Sequence, residues 1–364
     1  MASMLPTGNG GLVWNSDGRL LFNLSKERAI DVWSMTVDQN TGKKSSDPTR
    51  VYFLKDSELV PMGGSDDGKR LLLRQDRPEE RVFVGDLTAN HQLSSPRSMT
   101  NDHWNYTMWS WTADSSALLL STNRNGTPQN LQYDIGDDQR KILMSGANGG
   151  LQATPDGRHL LVTTRANPAD KKSDAVQIRA VDADGSAART LVSGNYADLR
   201  YRCSIGAGGQ CVLCEKSGAH HVFSYLDAEH GLGKEIARTD RAVSDFDISP
   251  DGSRIALVSY DDGLEIGILS VATGKTEVLH AKDKRWSPQG IAWGADGQRL
   301  YVTGVSDPEG FALLSIAMNG ETSILAHEPF NAGWINRPRP SPSGRKLAYN
   351  VRKHQVNLLL LENF

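Results

Sequence analysis

Residues 245–258 read DFDISPDGSRIALV, and this stretch decides the fold. A short apolar strand leads into the turn Ser249-Pro250-Asp251-Gly252, and a second apolar strand leaves it. An Asp-Gly turn between two strand-length apolar runs predicts a β-hairpin. A helical periodicity of 3.6 residues is not sustained along the sequence, so the hairpin is the unit on which the fold prediction rests.

Similar tight turns recur along the whole chain. They occupy residues 15–18, 65–68, 112–115, 154–157, 206–209, 294–297 and 341–344. Their spacing of about 46 residues is typical of β-propeller blades rather than of helical solenoids. The sequence therefore predicts an all-β protein, an eight-bladed β-propeller of four-stranded antiparallel blades.

The predicted blades use nearly all of the 364 residues, so we expect a single domain over residues 1–364. The expected blades start near residues 11, 59, 104, 149, 197, 242, 286 and 332. A seven-bladed ring is the alternative, and it requires the second or fifth repeat to be irregular. The last repeat lacks an outer strand, which leaves an open sheet edge. Either residues before Gly10 supply that strand, or further blades or a linker precede this stretch.

Charge and hydropathy exclude some classes of function. The net charge is −3 and the charged residues are interspersed, so no basic stripe predicts nucleic-acid binding. No apolar run approaches the ~18 residues that a membrane span requires. The first residues resemble no signal peptide. We expect a monomer that is cytoplasmic, or periplasmic or extracytoplasmic if it is excised from a membrane-anchored parent.

The three cysteines are informative by position. Cys203 and Cys211 are expected to face each other across the fifth hairpin, where opposed Cβ atoms lie about 4.5–5.5 Å apart. They form either a disulfide, which implies an oxidising compartment, or a pair of buried thiols. Cys211 and Cys214 make a CxxC, but three positions along a strand place them on opposite faces. Without a second pair of ligands this is not a zinc site.

Catalytic motifs are not found in the sequence. The nine histidines are scattered, and neither His-x-His nor His-Glu-x-x-His occurs. The Gly-x-Ser-x-Gly elbow of propeller-associated hydrolases is missing as well. We therefore assign no catalytic residue, no metal ligand and no cofactor. A site assembled from several blades at the channel mouth, as in a propeller hydrolase or lyase, is the alternative.

The connections between blades are rich in aromatic, amide and arginine residues, which are enriched at recognition hot spots. Loops on a rigid frame commonly carry function. We therefore expect a ligand-binding channel mouth that accepts a peptide, a protein segment or a small ligand. Its expected residues are His103, Trp104, Tyr106, Arg124, Tyr196, Arg202, Trp286, Trp334, Asn336 and Arg337. Packing between blades is the alternative role for Trp104, Trp286 and Trp334.

Several segments resemble a known family over nearly the whole chain. They are Gly11-Leu12-Val13-Trp14, Asp17-Gly18-Arg19-Leu20, Asp31-Val32-Trp33, Trp111-Thr112-Ala113-Asp114-Ser115, Tyr201-Arg202-Cys203 and the ending Glu362-Asn363-Phe364. Together with the Ser-Pro-Asp-Gly turns they resemble TolB-type propeller repeats. They are most similar to the propeller region of acidobacterial serine/threonine protein kinases and winged-helix regulators.

The resemblance implies a C-terminal sensing or interaction propeller whose effector domain is absent from this chain. Because the Gly-rich loop, His-Arg-Asp and Asp-Phe-Gly motifs of kinases are missing, phosphoryl transfer is not implied. The resulting hypothesis is a non-enzymatic ligand- or protein-binding module of a larger bacterial signalling protein. A propeller hydrolase or lyase, or a structural scaffold in an envelope complex, are the alternatives.

Overall fold

The computed structural model describes residues 11–364 except 27–28, 55–56, 101, 103, 124–126, 147–148, 168–173, 207 and 260–264. Regular secondary structure in these residues consists of β-strands only. The described part of the chain contains no helix that could span a bilayer.

The strands follow one another in short hairpin steps. The first seven are β1 (Leu12–Trp14), β2 (Arg19–Lys26), β3 (Ala29–Thr36), β4 (Thr49–Tyr52), β5 (Glu58–Gly64), β6 (Arg70–Leu87) and β7 (Leu93–Ser98). The next twelve are β8 (Tyr106–Trp111), β9 (Ala117–Thr122), β10 (Gln129–Asp134), β11 (Arg140–Ser145), β12 (Leu151–Ala153), β13 (His159–Arg165), β14 (Ala175–Asp182), β15 (Ala188–Asn195), β16 (Leu199–Cys203), β17 (Cys211–Ser217), β18 (His220–Asp227) and β19 (Gly231–Thr239). The last ten are β20 (Asp245–Ile248), β21 (Arg254–Val258), β22 (Ile266–Ser270), β23 (Thr276–Leu279), β24 (Ser287–Trp293), β25 (Arg299–Ser306), β26 (Gly310–Ala317), β27 (Thr322–Glu328), β28 (Trp334–Pro340) and β29 (Lys346–Glu362).

Every tight turn singled out in the sequence joins two antiparallel strands. The hairpins are β1–β2, β5–β6, β8–β9, β12–β13, β16–β17, β20–β21, β24–β25 and β28–β29. In the β20–β21 turn the Asp251 carboxylate accepts hydrogen bonds from the Ser249 hydroxyl (2.6 Å) and the Ser253 N–H (3.0 Å). These bonds lower the pKa of Asp251 to about 2. Gly252 adopts the left-handed conformation that the turn requires, with φ at 71°.

The predicted number of blades is wrong. The described residues form five separate four-stranded antiparallel blades, not eight or seven. The five blades are β8–β11, β12–β15, β16–β19, β20–β23 and β24–β27. The remaining strands, β1 to β7 with β28 and β29, belong to one nine-stranded sheet.

Two unusually long strands explain the difference. β6 has 18 residues and β29 has 17, and each continues straight through the point where the repeat pattern expects a turn. Residues 74–81 and 350–357 contain no glycine, so neither stretch offers the residue that most easily reverses a chain. The two segments predicted as neighbouring strands of one blade therefore lie on a single strand, and separate second and eighth blades do not form. The first blade is not separate either, because β3 pairs in parallel with β5 at Ile30 and Glu58.

The chain folds as two compact units, and their boundaries fall within β6 and β29. One unit comprises residues up to Glu79 together with Lys353–Phe364, and the other comprises Glu80–Arg352. The first has its own apolar core, built from Val13, Leu21, Val32, Leu59, Leu71 and Leu73, with Leu359, Leu361 and Phe364 packed against it. The expectation that residues before Gly10 supply an outer strand falls outside the described residues.

The second unit is a propeller ring. Its innermost strands β8, β12, β16, β20, β24 and β28 each contact the next, and β28 contacts β8, so the cycle closes within this unit. Polar side chains connect neighbouring blades. Gln152 accepts a hydrogen bond from the Cys203 N–H and donates one to the Tyr201 carbonyl, both at 2.9 Å. Asn350 likewise accepts from the Met108 N–H at 2.9 Å and donates to the Tyr106 carbonyl at 2.7 Å.

The cysteines lie in the blade formed by β16 to β19. Cys203 ends β16, Cys211 begins β17, and the two are paired in the ladder and joined by a disulfide. Cys214 is a buried free thiol, and burial raises its pKa to about 12. Of the two arrangements that the sequence left open for Cys203 and Cys211, the structure has the disulfide.

Candidate functional site

A cavity of about 470 Å³ lies at the centre of the second unit, surrounded by the innermost strands. Every one of these six strands contributes a polar or aromatic side chain to its wall. They are Trp109 (β8), Gln152 (β12), Arg202 (β16), Asp245 (β20), Gln289 (β24) and Arg339 (β28). Because side chains alternate in direction along a strand, an inner strand can point one residue into the cavity and the next into the packing between blades.

The charged groups in the wall are mostly cationic. The described lining residues include five arginines but only two carboxylates, Glu80 and Asp245. The arginines are Arg200, Arg202, Arg337, Arg339 and Arg352. The chain as a whole has a net charge of −3, so positive charge is concentrated here against the overall balance. A recess lined by one sign of charge attracts ligands of the opposite sign.

Asp245 is the carboxylate of the two that forms the stronger interactions within the protein. It forms an ion pair of 2.5 Å with Arg202 and accepts a hydrogen bond of 3.2 Å from the Ile291 N–H in the next blade. Burial alone would raise the pKa of Asp245, but the positive charges of Arg202 and Arg339 and the backbone hydrogen bonds lower it below its usual range. Asp245 is therefore an anion that neutralises Arg202.

Arg339 is buried and holds strands together. Its guanidinium donates hydrogen bonds to the backbone carbonyls of Trp109 (3.0 Å), Pro338 (2.7 Å) and Ile291 (3.5 Å). Burial and then the nearby charge of Arg202 lower the pKa of Arg339 to about 10. The side chain stays cationic at neutral pH, and its Nε and one terminal nitrogen donate hydrogen bonds within the protein.

Arg337 has an unusual backbone. The register between β28 and β29 shifts between Asn336 and Arg339, as it does at a β-bulge, and such irregularities redirect a side chain. Arg337 has a φ of 54°, in the left-handed region that few non-glycine residues adopt. Its guanidinium lies over the ring of Trp109, 4.1 Å from the centroid. This is the geometry of a cation–π contact.

Glu80 is half-buried in the same wall. Burial raises the pKa of Glu80, while the positive charges of Arg337 and Arg352 lower it in part. The Thr107 hydroxyl donates a hydrogen bond of 3.4 Å to its carboxylate. Glu80 is thus the carboxylate whose raised pKa is lowered in part by the positive charges of both Arg337 and Arg352.

The cavity brings together five of the residues expected at the channel mouth. They are Tyr196, Arg202, Trp334, Asn336 and Arg337. Three others lie away from it. Trp286 is 3% exposed in the apolar core, Trp104 packs against another buried cluster, and the Tyr106 hydroxyl donates a hydrogen bond of 2.8 Å to Asp102. His103 and Arg124 fall outside the described residues.

Sequence reasoning missed most of the cavity wall because it searched the connections between blades. The missed residues include Glu80, Trp109, Gln152, Arg200, Asp245, Arg339 and Arg352. Several lie in the first strand of a hairpin, where a polar side chain interrupts an otherwise apolar run. A polar residue at the same position of the first strand in several blades could have indicated this wall. An inner strand that is buried on both faces rarely contains a polar residue without a specific role.

Comparisons with known proteins bear on the fold. No protein-family model and no curated protein matches the sequence. Among solved structures, TolB from Acinetobacter baumannii matches with a TM-score of 0.52 and 13% identity, over 93% of this chain and 81% of that one. A putative TolB from Agrobacterium tumefaciens matches with a TM-score of 0.56 and 14% identity, over 76% of this chain and 98% of that one.

The fold is that of a TolB-like β-propeller. At this level of identity the likeness concerns the fold alone, since one propeller scaffold supports many functions. Neither sequence comparison connects the TolB-like propeller to protein kinases or winged-helix regulators. Within the described residues, no cluster of three or more His, Cys, Asp or Glu side chains is placed to hold a metal ion.

Proposed function

We propose that this chain is a non-enzymatic, ligand-binding TolB-like propeller, and that it serves as the sensor or interaction module of a larger bacterial signalling protein. The observation that carries the proposal is the central cavity of the second unit, whose polar wall is built from all six innermost strands. Its volume of about 470 Å³ lies within the usual range of small-molecule sites.

The composition of the wall favours binding over catalysis. The described residues that line the cavity include no histidine and no cysteine, so the commonest general base and the thiol nucleophile are both missing from it. Asp245 is neutralised by Arg202 and has a lowered pKa, which makes it a poor proton acceptor. Such groups can orient and hold a ligand on a rigid frame.

Two exposed aromatic residues add a recognition surface. Tyr196 is 59% exposed and Trp334 is 40% exposed, and both line the cavity. Trp334 is braced by Phe311, with 5.9 Å between the ring centroids. Tyr and Trp supply large contact areas at low entropic cost and are enriched at binding hot spots.

The role as a module of a larger protein rests on the sequence resemblance. The segment Tyr201-Arg202-Cys203 and the ending Glu362-Asn363-Phe364 are similar to the propeller region of acidobacterial protein kinases and winged-helix regulators. In such an arrangement, ligand binding by the propeller would be transmitted to an effector domain elsewhere in the protein. The reading frame upstream of this sequence tests that role directly.

A thermal-shift screen of peptides, sugars and nucleotides tests the binding function. Trp334→Ala should abolish the shift that a hit produces, because Trp334 lines the cavity. Trp104→Ala is the matched control: it should lower the melting temperature but keep the ligand-induced shift, since Trp104 packs against a buried cluster away from the cavity. Unchanged ligand shifts in Trp334→Ala, or no hit in the whole screen, would contradict the proposal.

A further inference from the structure

The five arginines of the cavity differ in how their N–H donors are used. Arg202 donates to Asp245 at 2.5 Å and to the Tyr201 carbonyl at 3.0 Å. Arg339 donates to three backbone carbonyls. Arg200 donates one bond, of 3.4 Å, to the Val243 carbonyl. These three side chains are engaged with the protein and help to hold the ring together.

Arg337 and Arg352 have no such engagement. Within the described residues, neither guanidinium forms a hydrogen bond or an ion pair. Each guanidinium offers five N–H donors in a fixed planar arrangement that matches a carboxylate or a phosphate. Both side chains are half-buried, and the negative charge of Glu80 can compensate only one of their two positive charges. Their donors are therefore available to a ligand.

The backbone at Arg337 indicates a built site. Left-handed φ angles at non-glycine residues cost free energy, and they persist where the surrounding structure imposes them, often at ligand sites. Here the β-bulge in β28 and the stacking on Trp109 together fix the direction of the guanidinium. Its side chain is oriented before any ligand arrives, which reduces the entropic cost of binding.

Arg352 lies on β29 and lines the same cavity as Arg337 on β28. Arg352 is the ladder partner of Trp334, so the side chains of Arg352 and Trp334 leave the same face of the β28–β29 hairpin. The charges of both arginines act on one carboxylate, Glu80. The two guanidinium groups therefore line one cavity together with Glu80, and this set holds two positive charges and one negative.

Two buried oxygens in the same wall have no hydrogen-bond partner among the described residues. They are Oδ1 of Asn336 and Oγ1 of Thr303. A buried polar atom without a partner is expensive, and it points to a group that would pair with it when bound. The Asn336 oxygen accepts a hydrogen bond, and the Thr303 hydroxyl can accept or donate one. Both suit the hydroxyl groups of a ligand.

We propose that Arg337 and Arg352 bind the carboxylate or phosphate group of a small hydroxylated ligand in the central cavity, and that Asn336 and Thr303 bind its hydroxyl groups. This inference rests on the proposed binding function and specifies its ligand class. A carboxylate or a phosphate group can accept two parallel N–H bonds from a guanidinium, which gives both affinity and orientation.

Isothermal titration calorimetry of the full chain at constant ionic strength tests the proposal. The probes are gluconate, glucose 6-phosphate and, as the neutral control, glucose. Gluconate and glucose 6-phosphate separate a carboxylate ligand from a phosphate ligand, and at least one of them should bind while glucose does not. Arg337→Asn and Arg352→Gln should each weaken that binding by at least about tenfold, as expected for the loss of charge-assisted hydrogen bonds.

The variants are chosen so that folding does not obscure the result. Asn tolerates the left-handed conformation of residue 337, so Arg337→Asn should fold with the same backbone at this position. Arg158→Gln removes the same charge from an exposed turn, where the side chain is 75% exposed, and should leave binding unchanged. A loss of affinity in Arg158→Gln equal to that in the two cavity variants would mean that only overall charge matters, and would overturn the proposal.

Failure of this inference is distinguishable from failure of the binding function. If glucose binds as well as the two anions, or if both arginine variants bind normally, the anion site is wrong while a ligand-binding cavity remains. If neither anion binds at concentrations of tens of millimolar, the ligand class is wrong, and the screen with Trp334→Ala still tests the binding function separately.

Discussion

The carboxylate of Asp247 in β20 accepts a hydrogen bond of 2.7 Å from the backbone N–H of Trp293 in β24. The bond joins the innermost strands of two neighbouring blades, two residues along from the bond between Asp245 and Ile291. Burial raises the pKa of Asp247 to about 6, although the positive charge of Arg339 and the bond from Trp293 oppose the rise. The blade junction therefore contains a carboxyl group that is easily protonated.

We predict that Asp247 makes the fold more stable as the pH falls from about 6 to about 4. The pKa is raised from 3.8 in the unfolded chain to about 6 in the fold, so the folded state binds more protons over this range. Its contribution to the free energy of unfolding should decrease by up to roughly 3 kcal/mol as the pH rises through the same range. Denaturant unfolding at several pH values measures it.

Asp247→Asn is the variant that isolates this effect, because the amide oxygen can still accept the hydrogen bond from Trp293. The stability difference between the variant and the parent should change between pH 4 and pH 6 and level off above about pH 7. Parallel stability curves for the two proteins would contradict the prediction. The turn residue Asp251 does not interfere, since its pKa of about 2 places its titration at lower pH.

The disulfide predicts a simple thiol count. Under denaturing, non-reducing conditions the chain should show one free thiol, that of Cys214, and three after reduction. In the native state Cys214 should react slowly, because it is buried and its pKa is raised to about 12. Replacing Cys203 and Cys211 by serine together should cost about 2 kcal/mol, since the bond closes a loop over a separation of only 8 residues. Three free thiols before reduction would show that no disulfide forms.

The second unit should fold when residues 80–352 are produced alone. Its ring of innermost strands closes within this range, so no inner strand loses a neighbour. We expect a β-rich circular dichroism spectrum and one cooperative thermal transition. The range 100–352 is the matched control. It lacks β6, which pairs with β29 on the side away from β28, and it should be less stable. Non-cooperative melting of residues 80–352 would contradict the prediction.

Truncating two aromatic residues expected at the channel mouth should change the stability of the fold by very different amounts. Trp286→Ala should cost about 3–5 kcal/mol, because Trp286 is 3% exposed and its removal leaves a large cavity. Tyr196→Ala should change stability by less than about 0.5 kcal/mol, because Tyr196 is 59% exposed. Denaturant unfolding of both variants makes the comparison, and equal losses of stability would contradict the assigned environments.

The hairpins could be predicted from the sequence because a tight turn is a local event. Asp251 and Gly252 act within a few residues, through hydrogen bonds to their own backbone and a left-handed φ. The number of blades could not be predicted in the same way. A turn fixes where a strand begins, whereas the absence of glycine from residues 74–81 and 350–357 permits long strands but does not specify lengths of 18 and 17 residues.

The candidate site was predicted in part. The bias of the inter-blade connections towards aromatic and amide residues led to Tyr196, Trp334, Asn336 and Arg337, which line the cavity. The same bias also suggested Trp286, which is packed in the core instead. Composition cannot separate the two outcomes, because a tryptophan is suited both to burial between blades and to a ligand surface.

By itself, the sequence determined the all-β class, the eight hairpin turns and the residues between which a disulfide could form. These features depend on neighbours in the chain, through backbone angles and the alternation of side chains along a strand. Only the tertiary structure decided the blade count, the closed ring of inner strands and the cavity that Arg337 and Arg352 both line. Those features depend on contacts between strands far apart in sequence, which local propensities do not specify.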